Sequence, residues 1–297
     1  MCGIVGLLLK KPELRSDLGR MMVPMLIGMT ERGPESGGMA VYGAPAAAGG
    51  RKFSLYSGGA AFDWMSLEAA ARAVLADVSL TAIANHAVLE TTEPVERVKG
   101  FLRASFPALS LLAVGRTIDL YKDVGAPVEI AARYDFAHVT GTHVVGHTRM
   151  ATESAVTPAH AHPFTAGEDF CLVHNGSLSN PGSVRRRLQL QGIAFDTDND
   201  TEAACRFIEY RMREGDDLKA ALRHGFEELD GFYTFLMGTR DELAIVRDAF
   251  SCKPAIVAET DDYVAISSEF RSLAKLPGIR HATLFEPKPE EIYVWRT

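Results

Sequence analysis

The N-terminal part of the chain alternates between apolar patterns that predict a strand, a helix and a second strand. Gly3–Leu9 is a short apolar run that ends at a Lys-Lys-Pro sequence, which predicts a buried strand. Apolar side chains then recur at helical spacing over Leu14–Met29, and a methionine-rich stripe of this kind is typical of core packing. The glycine- and proline-rich residues 32–38 predict a turn before a strand at Met39–Tyr42.

The middle of the chain carries its own helix and strand patterns. A hinge of small residues at Gly43–Gly50 precedes it. The patterns that follow predict helices at Leu67–Ala76, Val95–Ser105 and Pro127–Tyr134, a strand at Thr81–Leu89, and a hairpin of Leu109–Val114 with Thr117–Lys122. We therefore expect a small α/β insertion at 44–137 within one domain that spans residues 1–297.

The remaining part of the chain predicts strands, then helices, then strands again. The expected strands are His143–Gly146, Phe170–His174, Tyr233–Gly238, Glu242–Arg247, Ala255–Glu259, Tyr263–Ser267 and Tyr293–Arg296. The expected helices are Gly182–Gln191, Thr201–Arg213 and Leu218–Leu229. Strand clusters at both ends of the chain with helices between them predict an α+β fold of two packed sheets covered by helix layers.

Composition narrows the classes of protein to which the chain can belong. Its net charge of −7 argues against general nucleic-acid binding, which usually shows a basic stripe. The sequence has no apolar run of about 18 residues and no basic segment before its first apolar run, so neither a membrane span nor a signal peptide is expected. Four scattered cysteines argue against a disulfide framework or a zinc site and favour the reducing cytoplasm.

The residue with the clearest chemical potential is Cys2. If an aminopeptidase removes Met1, Cys2 carries both a thiol and a free α-amine. An ordinary α-amine has a pKa of about 8 and can act as a base at physiological pH, so nucleophile and base would share one residue. A free cysteine is more often a small buried hydrophobe, and position alone does not establish catalysis.

Further polar residues stand where predicted strands end or helices begin. Arg149 ends a strand, where a guanidinium can hold a carboxylate in two hydrogen bonds, although an isolated arginine more often makes a surface ion pair. Asn175 and Gly176 also end a strand. An Asn amide and a glycine N–H can form an oxyanion pair, but Asn-Gly alone is a common hairpin turn. Asp200 precedes a helix, and the helix N-cap is the usual role of such an aspartate.

Other catalytic and metal chemistries have little support. His160 and His162 have no carboxylate or cysteine at matching spacing, which favours a structural role. The acidic segment 196–202 lacks the glycine and the distal glutamate of an EF-hand calcium loop. A Ser-His-Asp triad is not indicated, because the sequence contains no GxSxG. We therefore expect no metal on this chain.

Taken in order, these motifs resemble the class II glutamine amidotransferases, which are N-terminal-nucleophile (Ntn) hydrolases. The matching segments are Met-Cys-Gly-Ile-Val-Gly at 1–6, Arg-Gly-Pro-Glu-Ser-Gly-Gly at 32–38, His-Thr-Arg at 147–149, His-Pro-Phe at 162–164, His-Asn-Gly at 174–176 and Asn-Asp-Thr-Glu at 199–202. The resemblance covers residues 1–43 and about 138–297. It implies a four-layer αββα Ntn-hydrolase sandwich of two mainly antiparallel sheets.

The resemblance implies catalytic roles for residues at the first and fifth motifs. Cys2 would be the nucleophile, with its own α-amine as the base, directly or through a water. Asn175 and the backbone of Gly176 would form the oxyanion hole.

The resemblance also implies a substrate pocket for glutamine. Arg149 would bind the α-carboxylate of glutamine, and Asp200 would bind its α-ammonium group. Arg32 would order the pocket around Cys2. Thr152 would be a further substrate-binding residue.

Departures from the motifs point to one branch of this family. Met150 stands where relatives usually carry Trp, and Glu153-Ser154 stands where many sugar-transferring and purine-pathway relatives carry His-Gly. The long stretch of sequence between Arg32 and Arg149 resembles that of the glutamate synthases. Because 297 residues leave no room for a synthase domain, the chain resembles the stand-alone glutaminase subunits of glutamate-synthase-like and N-methylglutamate synthase systems.

In such systems the resemblance implies synthase-type partner subunits that carry flavin or iron–sulfur clusters. This chain has neither a cysteine cluster nor a GxGxxG on a βαβ unit, so we expect no cofactor on it. Ammonia could pass to the partner, or the glutamyl group could pass to an amine such as methylamine. Two rivals stay open: an Ntn amidohydrolase for another amide, and a non-catalytic regulatory subunit that keeps Met1.

Overall fold

The computed structural model describes residues 2–58, 61–150 and 157–297. Its strands are β1 (Gly3–Leu9), β2 (Ser36–Tyr42), β3 (Arg51–Tyr56), β4 (Ser79–Ile83), β5 (His86–Thr91), β6 (Ser110–Gly115), β7 (Ile118–Val124), β8 (His143–Arg149), β9 (Phe164–Ala166), β10 (Phe170–Leu178), β11 (Gly231–Gly238), β12 (Glu242–Arg247), β13 (Ile256–Glu259), β14 (Tyr263–Ser267), β15 (Thr283–Phe285) and β16 (Tyr293–Arg296). Its α-helices are α1 (Leu18–Ile27), α2 (Trp64–Val74), α3 (Val95–Ser105), α4 (Pro127–Arg133), α5 (Pro181–Leu190), α6 (Asp200–Arg213), α7 (Leu218–Glu228) and α8 (Phe270–Leu273).

The strands form three sheets. A seven-stranded sheet has the order β15-β13-β14-β1-β8-β2-β7, and a five-stranded sheet has the order β16-β12-β11-β10-β9. A third, four-stranded sheet has the order β4-β5-β3-β6. Neighbouring strands in the described ranges pair antiparallel in all three sheets.

Alternation along the central strands builds four layers from the two larger sheets. In β1, Val5 and Leu7 face the helices α1, α4 and α8, whereas Ile4 and Leu8 face the five-stranded sheet. The five-stranded sheet in turn packs its other face against α5, α6 and α7. Since successive residues of a strand point to opposite faces, one run of seven buried residues serves two cores. The predicted four-layer αββα sandwich is confirmed.

The four-stranded sheet is an insertion between β2 and β7. Together with α2 and α3 it encloses a separate apolar core, and the buried residues of this core lie between Phe53 and Val114. Backbone hydrogen bonds from Gly43 to Thr117 (3.0 Å) and from Ala46 to Arg116 (2.7 Å) hold the two connections side by side where they leave the larger sheet.

The structure corrects three features predicted for this middle part of the chain. Residues 81–89 are a hairpin of β4 and β5 that turns at Ala84-Asn85, and β3 was not predicted. The expected hairpin of β6 with β7 is wrong, because β6 pairs with β3 and β7 pairs with β2 of the seven-stranded sheet. Consequently β7 and α4 belong to the sandwich, and the separate sheet lies within residues 51–115 rather than reaching 137.

Two buried carboxylates join the inserted sheet to the sandwich. Asp169 accepts hydrogen bonds from the backbone N–H groups of Arg116 and Thr117, both at 2.8 Å, at the crossover from β6 to β7. Asp123 on β7 accepts from Tyr134 at 2.6 Å and from Asn85 of the β4–β5 turn at 3.1 Å. These joints fix the insertion against the sandwich through groups on both sides.

Elsewhere most predicted elements are observed, but β2, β8 and β10 extend three or four residues beyond their predicted bounds, so Asn175 and Gly176 lie within β10 and do not end it. The expected helix over Leu14–Met29 begins as a 3₁₀ turn at Pro12–Asp17 and becomes α-helical only over Leu18–Ile27. The C-terminal strands β12, β14 and β16 have the predicted bounds. Among the described helices, none is long and apolar enough to cross a bilayer.

Candidate functional site

Strand alternation brings three predicted site residues into the space between the two large sheets. On β1, Ile4 faces that space, so Cys2 lies on the same face two residues earlier. On β8, Val145 faces it and so does the position of Arg149, which the register places opposite Cys2, one step beyond the pair Gly3 and Thr148. On β10, Val173 faces it from the other sheet, and Asn175 follows on that face.

The carbonyl oxygen of Cys2 accepts hydrogen bonds from two predicted site residues, Arg32 and Asn175. Arg32 donates from Nε to this oxygen at 2.9 Å, and Asn175 donates from Nδ2 at 3.2 Å. Each donor comes from a different layer, since Arg32 follows helix α1 and Asn175 lies on the five-stranded sheet. The backbone of Cys2 is therefore held in place from two sides, and its side chain is only partly buried.

Sequence reasoning missed the segment that holds Arg32 and the start of β1. Glu269 lies 3.2 Å from Arg32 Nη1, and Ser268 Oγ accepts the N–H of Ile4 at 3.0 Å. Arg32 Nη2 is buried and has no hydrogen-bond partner among the described residues, which leaves it a donor next to the Cys2 backbone. No local sequence pattern signals these contacts, because Ser268 and Glu269 only follow a predicted strand.

Gly33 and Gly176 are placed where a side chain cannot fit. A Cβ on Gly33 would lie 2.4 Å from the backbone nitrogen of Arg149. A Cβ on Gly176 would lie 2.0 Å from the carbonyl oxygen of Phe232, and the φ of +149° at Gly176 also disfavours any other residue. Both glycines let main chain approach main chain closely beside the residues of the site.

Asn199, Asp200 and Glu202, at the start of α6, have different structural roles. The N-cap is Asn199, whose side chain accepts the N–H of Thr201 at 2.9 Å, so the N-cap role expected for Asp200 is wrong. Glu202 is buried and closes the loop by accepting N–H groups of Asp196 and Thr197, both at 2.8 Å. This leaves Asp200 as the acid of the segment that turns toward β10.

Asp200 is ionised and partly open. Its Oδ2 accepts the N–H of Leu178 at 2.9 Å, while its Oδ1 lies 3.7 Å from His174 Nδ1, and the side chain keeps 25% of its exposure. Burial acts to raise the pKa of Asp200, but its interactions with His174 and with the backbone N–H groups of Leu178 and Thr201 outweigh burial and lower the pKa. A carboxylate of this kind can bind a cation.

Three buried histidines lie behind Asn175 and Asp200. His162 and His174 both bond the hydroxyl of Thr201, at 2.9 and 3.1 Å, and His147 bonds the carbonyl oxygen of His174 at 3.2 Å. The rings of His147 and His162 are stacked with centroids 4.1 Å apart. Burial lowers the pKa of His147 to about 3 and holds that of His162 well below its ordinary value, so both are neutral.

The histidine network supports the main chain around Asn175 and Asp200. In the part of the chain that the structure describes, no group of three or more His, Cys, Asp and Glu side chains has metal-binding geometry. The rings instead fix the backbone of His174, immediately before Asn175, and the hydroxyl of Thr201, immediately after Asp200. The His-Thr-Arg, His-Pro-Phe and His-Asn-Gly motifs signalled these residues, but not that they touch.

The structure therefore gathers most of the predicted site residues. Cys2, Arg32 and Asn175 meet directly, and Asp200 lies across the histidine network from Asn175. Arg149 is buried at the end of β8, beside the turn at Gly33. Thr152 lies outside the described residues.

Comparison with known proteins places this geometry in a family. Residues 147–275 match the family described as the glutamine amidotransferase domain. The chain is 45% identical over 296 residues to the glutamine amidotransferase-like protein GlxB of Rhizobium meliloti (strain 1021), covering 99% of this chain and 98% of that protein. It is 30% identical over 315 residues to a putative glutamine amidotransferase of Methanothermobacter thermautotrophicus (strain Delta H), covering 99% of both chains.

A solved structure has the same fold. The glutamine phosphoribosylpyrophosphate amidotransferase from B. subtilis superposes with a TM-score of 0.63 at 19% identity, over 99% of this chain. This chain spans about half of that enzyme, 47% of its length. At this level of identity the likeness establishes the fold alone.

Proposed function

Because the chain belongs to the family of glutamine amidotransferase-like proteins with the class II, Ntn-hydrolase fold, we propose that it hydrolyses the side-chain amide of glutamine through Cys2. The observation that carries this proposal is the contact of Asn175 Nδ2 and Arg32 Nε with the carbonyl oxygen of Cys2. That contact places an amide donor and a cation beside the one residue able to combine a thiol with an N-terminal amine.

The proposed reaction begins after removal of Met1. The α-amine of Cys2 takes the thiol proton, and the sulfur attacks the side-chain carbonyl carbon of glutamine. The oxygen of the tetrahedral intermediate accepts hydrogen bonds from the Asn175 amide and from the backbone N–H of Gly176. The amine returns its proton to the leaving nitrogen, ammonia departs, and water hydrolyses the Cys2 thioester to glutamate.

The same proposal assigns the two ends of the substrate. Arg149, buried on the face shared with Cys2, binds the α-carboxylate, and the ionised Asp200 binds the α-ammonium group. Arg32 orders the Cys2 backbone through its hydrogen bond and its ion pair with Glu269. Thr152 completes the substrate-binding set.

Replacement of the nucleophile tests the reaction. We expect Cys2→Ala to abolish release of glutamate and ammonia from glutamine while the circular dichroism and melting temperature stay unchanged. Cys252→Ala is the matched control, because Cys252 is an exposed free thiol. Normal turnover by Cys2→Ala would remove the proposed mechanism.

Processing of the N-terminus offers a second test. Protein that retains Met1 should be inactive, since the α-amine then lies one residue away from the thiol. Intact-mass measurement on the native protein, paired with its activity, separates a processed enzyme from a regulatory subunit that keeps Met1. Full activity of the unprocessed form would contradict the role of the Cys2 amine.

We also propose that the chain acts in the cytoplasm with synthase-type partner subunits carrying flavin or iron–sulfur clusters. The support is the domain itself: an amidotransferase domain releases ammonia or a glutamyl group for an acceptor site. The inserted sheet at 51–115 is the proposed docking element, because it has a separate core and fixed joints.

Co-purification from the native source tests the partner. The matched variant replaces residues 47–115 with a short glycine linker between the connections that backbone hydrogen bonds hold side by side. We expect the wild-type chain to be recovered with a near-stoichiometric partner and the folded deletion variant to be recovered alone. A fully active lone subunit would count against the complex, and an unchanged complex would remove only the docking role.

A further inference from the structure

A large cavity lies where the inserted sheet meets the helical layer of the sandwich. Its volume is about 790 Å³, within the range of small-molecule sites. The insertion contributes one wall from α3 and β6, and the sandwich contributes the other from β7, β9 and α6. Cys2, Arg149, Asn175 and Asp200 do not line it, so it is separate from the proposed catalytic pocket.

The apolar part of the lining would suit a hydrocarbon or aromatic body. Leu102 of α3, Leu109 and Leu111 beside or on β6, and Phe164 of β9 line it from both walls. In α3 the spacing of Lys99, Leu102 and Arg103 places all three on one face of the helix, toward the cavity.

The charged part of the lining is predominantly cationic. Lys99, Arg103, Lys122 and Arg206 line the cavity together with only two carboxylates, Asp196 and Glu202. Arg206 pairs with both of these carboxylates, at 2.6 and 2.7 Å. Lys99 pairs with Glu96 at 2.8 Å. Arg103 and Lys122 form no ion pair with any carboxylate in residues 2–58, 61–150 and 157–297.

Lys122 is the strongest sign of an anion site. Its side chain is buried, and Nζ donates to the carbonyl oxygens of Ala161 at 2.9 Å and Pro163 at 3.5 Å and lies 4.8 Å from the centroid of the Phe164 ring, so neutral groups supply its close contacts among the described residues. Burial lowers the pKa of Lys122 to about 8, because the nearby charges of Glu202 and Asp196 only partly compensate for the lost hydration. Buried charges are ordinarily paired, so an anion in the cavity would complete the environment of this lysine.

We propose that this cavity binds a small organic anion, with its carboxylate or phosphate group on Lys122 and Arg103 and its apolar body against Leu102, Leu109, Leu111 and Phe164. The site goes beyond the proposed hydrolysis of glutamine and does not depend on it. The segment that supplies Ala161 and Pro163 also supplies His162, which bonds Thr201 beside Asp200.

Calorimetric titration of the full chain with three matched probes tests the proposal. Phenyl phosphate and benzoate carry an aromatic body with either anion, and benzyl alcohol carries the body alone. We expect one equivalent of an anionic probe to bind about tenfold more tightly than benzyl alcohol, which corresponds to a single charge-assisted contact. The stronger of the two anionic probes identifies the ligand as a phosphate or a carboxylate.

Variants locate the binding in the cavity. Arg103→Gln should weaken the anionic probe about tenfold, whereas Arg97→Gln, on the same helix but outside the cavity lining, should bind as wild type. Ala159→Trp should block the cavity from the other wall, where Ala159 is exposed. Arg149→Gln should retain binding, which distinguishes the cavity from the proposed glutamine pocket.

The proposal is overturned if none of the three probes binds at millimolar concentration. It is equally overturned if Arg103→Gln and Ala159→Trp both bind as wild type does, or if Arg149→Gln abolishes binding. The experiment measures heat of binding, so its result does not depend on whether the chain hydrolyses glutamine.

Discussion

The proposed catalytic end of the sandwich is assembled from residues as distant in sequence as Cys2, Arg32, Asn175 and Glu269, whereas the four-stranded sheet is built from the continuous stretch 51–115. The proposed catalytic end therefore forms only when the two large sheets pack against each other. The inserted sheet has its own apolar core, and its attachment depends on a few buried polar contacts. Changes in the first region should alter chemistry, and changes at the joints of the second should alter stability.

Among changes that leave Cys2 in place, the largest expected effect comes from removing the proposed oxyanion donor, Asn175. Asn175→Ala should lower kcat about 10²- to 10³-fold with little change in KM, since the amide meets charge that develops only in the transition state. Steady-state glutamine hydrolysis measures both constants. Asn180→Ala is the control, because Asn180 bonds Glu228 and Asp230 outside the site. A change confined to KM would assign Asn175 to binding of the ground state.

A smaller effect is expected at the ammonium-binding end. Asp200→Asn should raise KM for glutamine by about 30-fold or more, the cost of removing one partner of a partly buried charge pair. Asp198→Asn in the same loop is the matched control, since Asp198 is highly exposed and bonds His160. Equal KM values for the two variants would place the substrate ammonium elsewhere.

Low pH should destabilise both the inserted sheet and the sandwich, because each is in contact with a buried histidine that is neutral in the folded protein. Burial lowers the pKa of His86, at the joint, and of His143, in the sandwich, to about 4 each. The unfolded chain takes up these protons near pH 6.5. The contribution of each neutral histidine to the free energy of unfolding is therefore complete above that pH, and up to about 3 kcal/mol per histidine is lost as the pH falls toward 4.

Chemical denaturation between pH 7 and pH 4 measures this loss. His86→Phe should flatten the dependence, whereas His138→Phe should leave it unchanged, because His138 is exposed. Identical pH profiles for His86→Phe and wild type would show that His86 does not titrate with unfolding.

The smallest effect is expected at the joint itself. Asp123→Asn should lower the free energy of unfolding by about 2 kcal/mol, because the hydrogen bonds of Tyr134 and Asn85 and the ion pair with Arg133 lose their charged acceptor. Below the melting transition, kcat and KM for glutamine should match wild type. Asp135→Asn on the exposed surface is the stability control. A loss of kcat in folded Asp123→Asn would mean that the joint reaches the catalytic end.

Some features were determined by the sequence alone because they depend on neighbours along the chain. The run Gly3–Leu9 and the helix at Val95–Ser105 were predicted with their observed bounds, since apolar periodicity and local turn residues decide such elements. The order of the motifs likewise identified the family and named Cys2, Arg149, Asn175 and Asp200 before any contact was known.

Other features were decided only by the tertiary structure, because they depend on partners far away in the sequence. Two adjacent strands, β6 and β7, look like a hairpin but enter different sheets, since Asp169 holds their connection and each strand finds a distant partner. Glu269 carries no local signal of its pairing with Arg32. Strand partners and buried ion pairs gain their free energy from long-range contacts, which no local pattern of residues records.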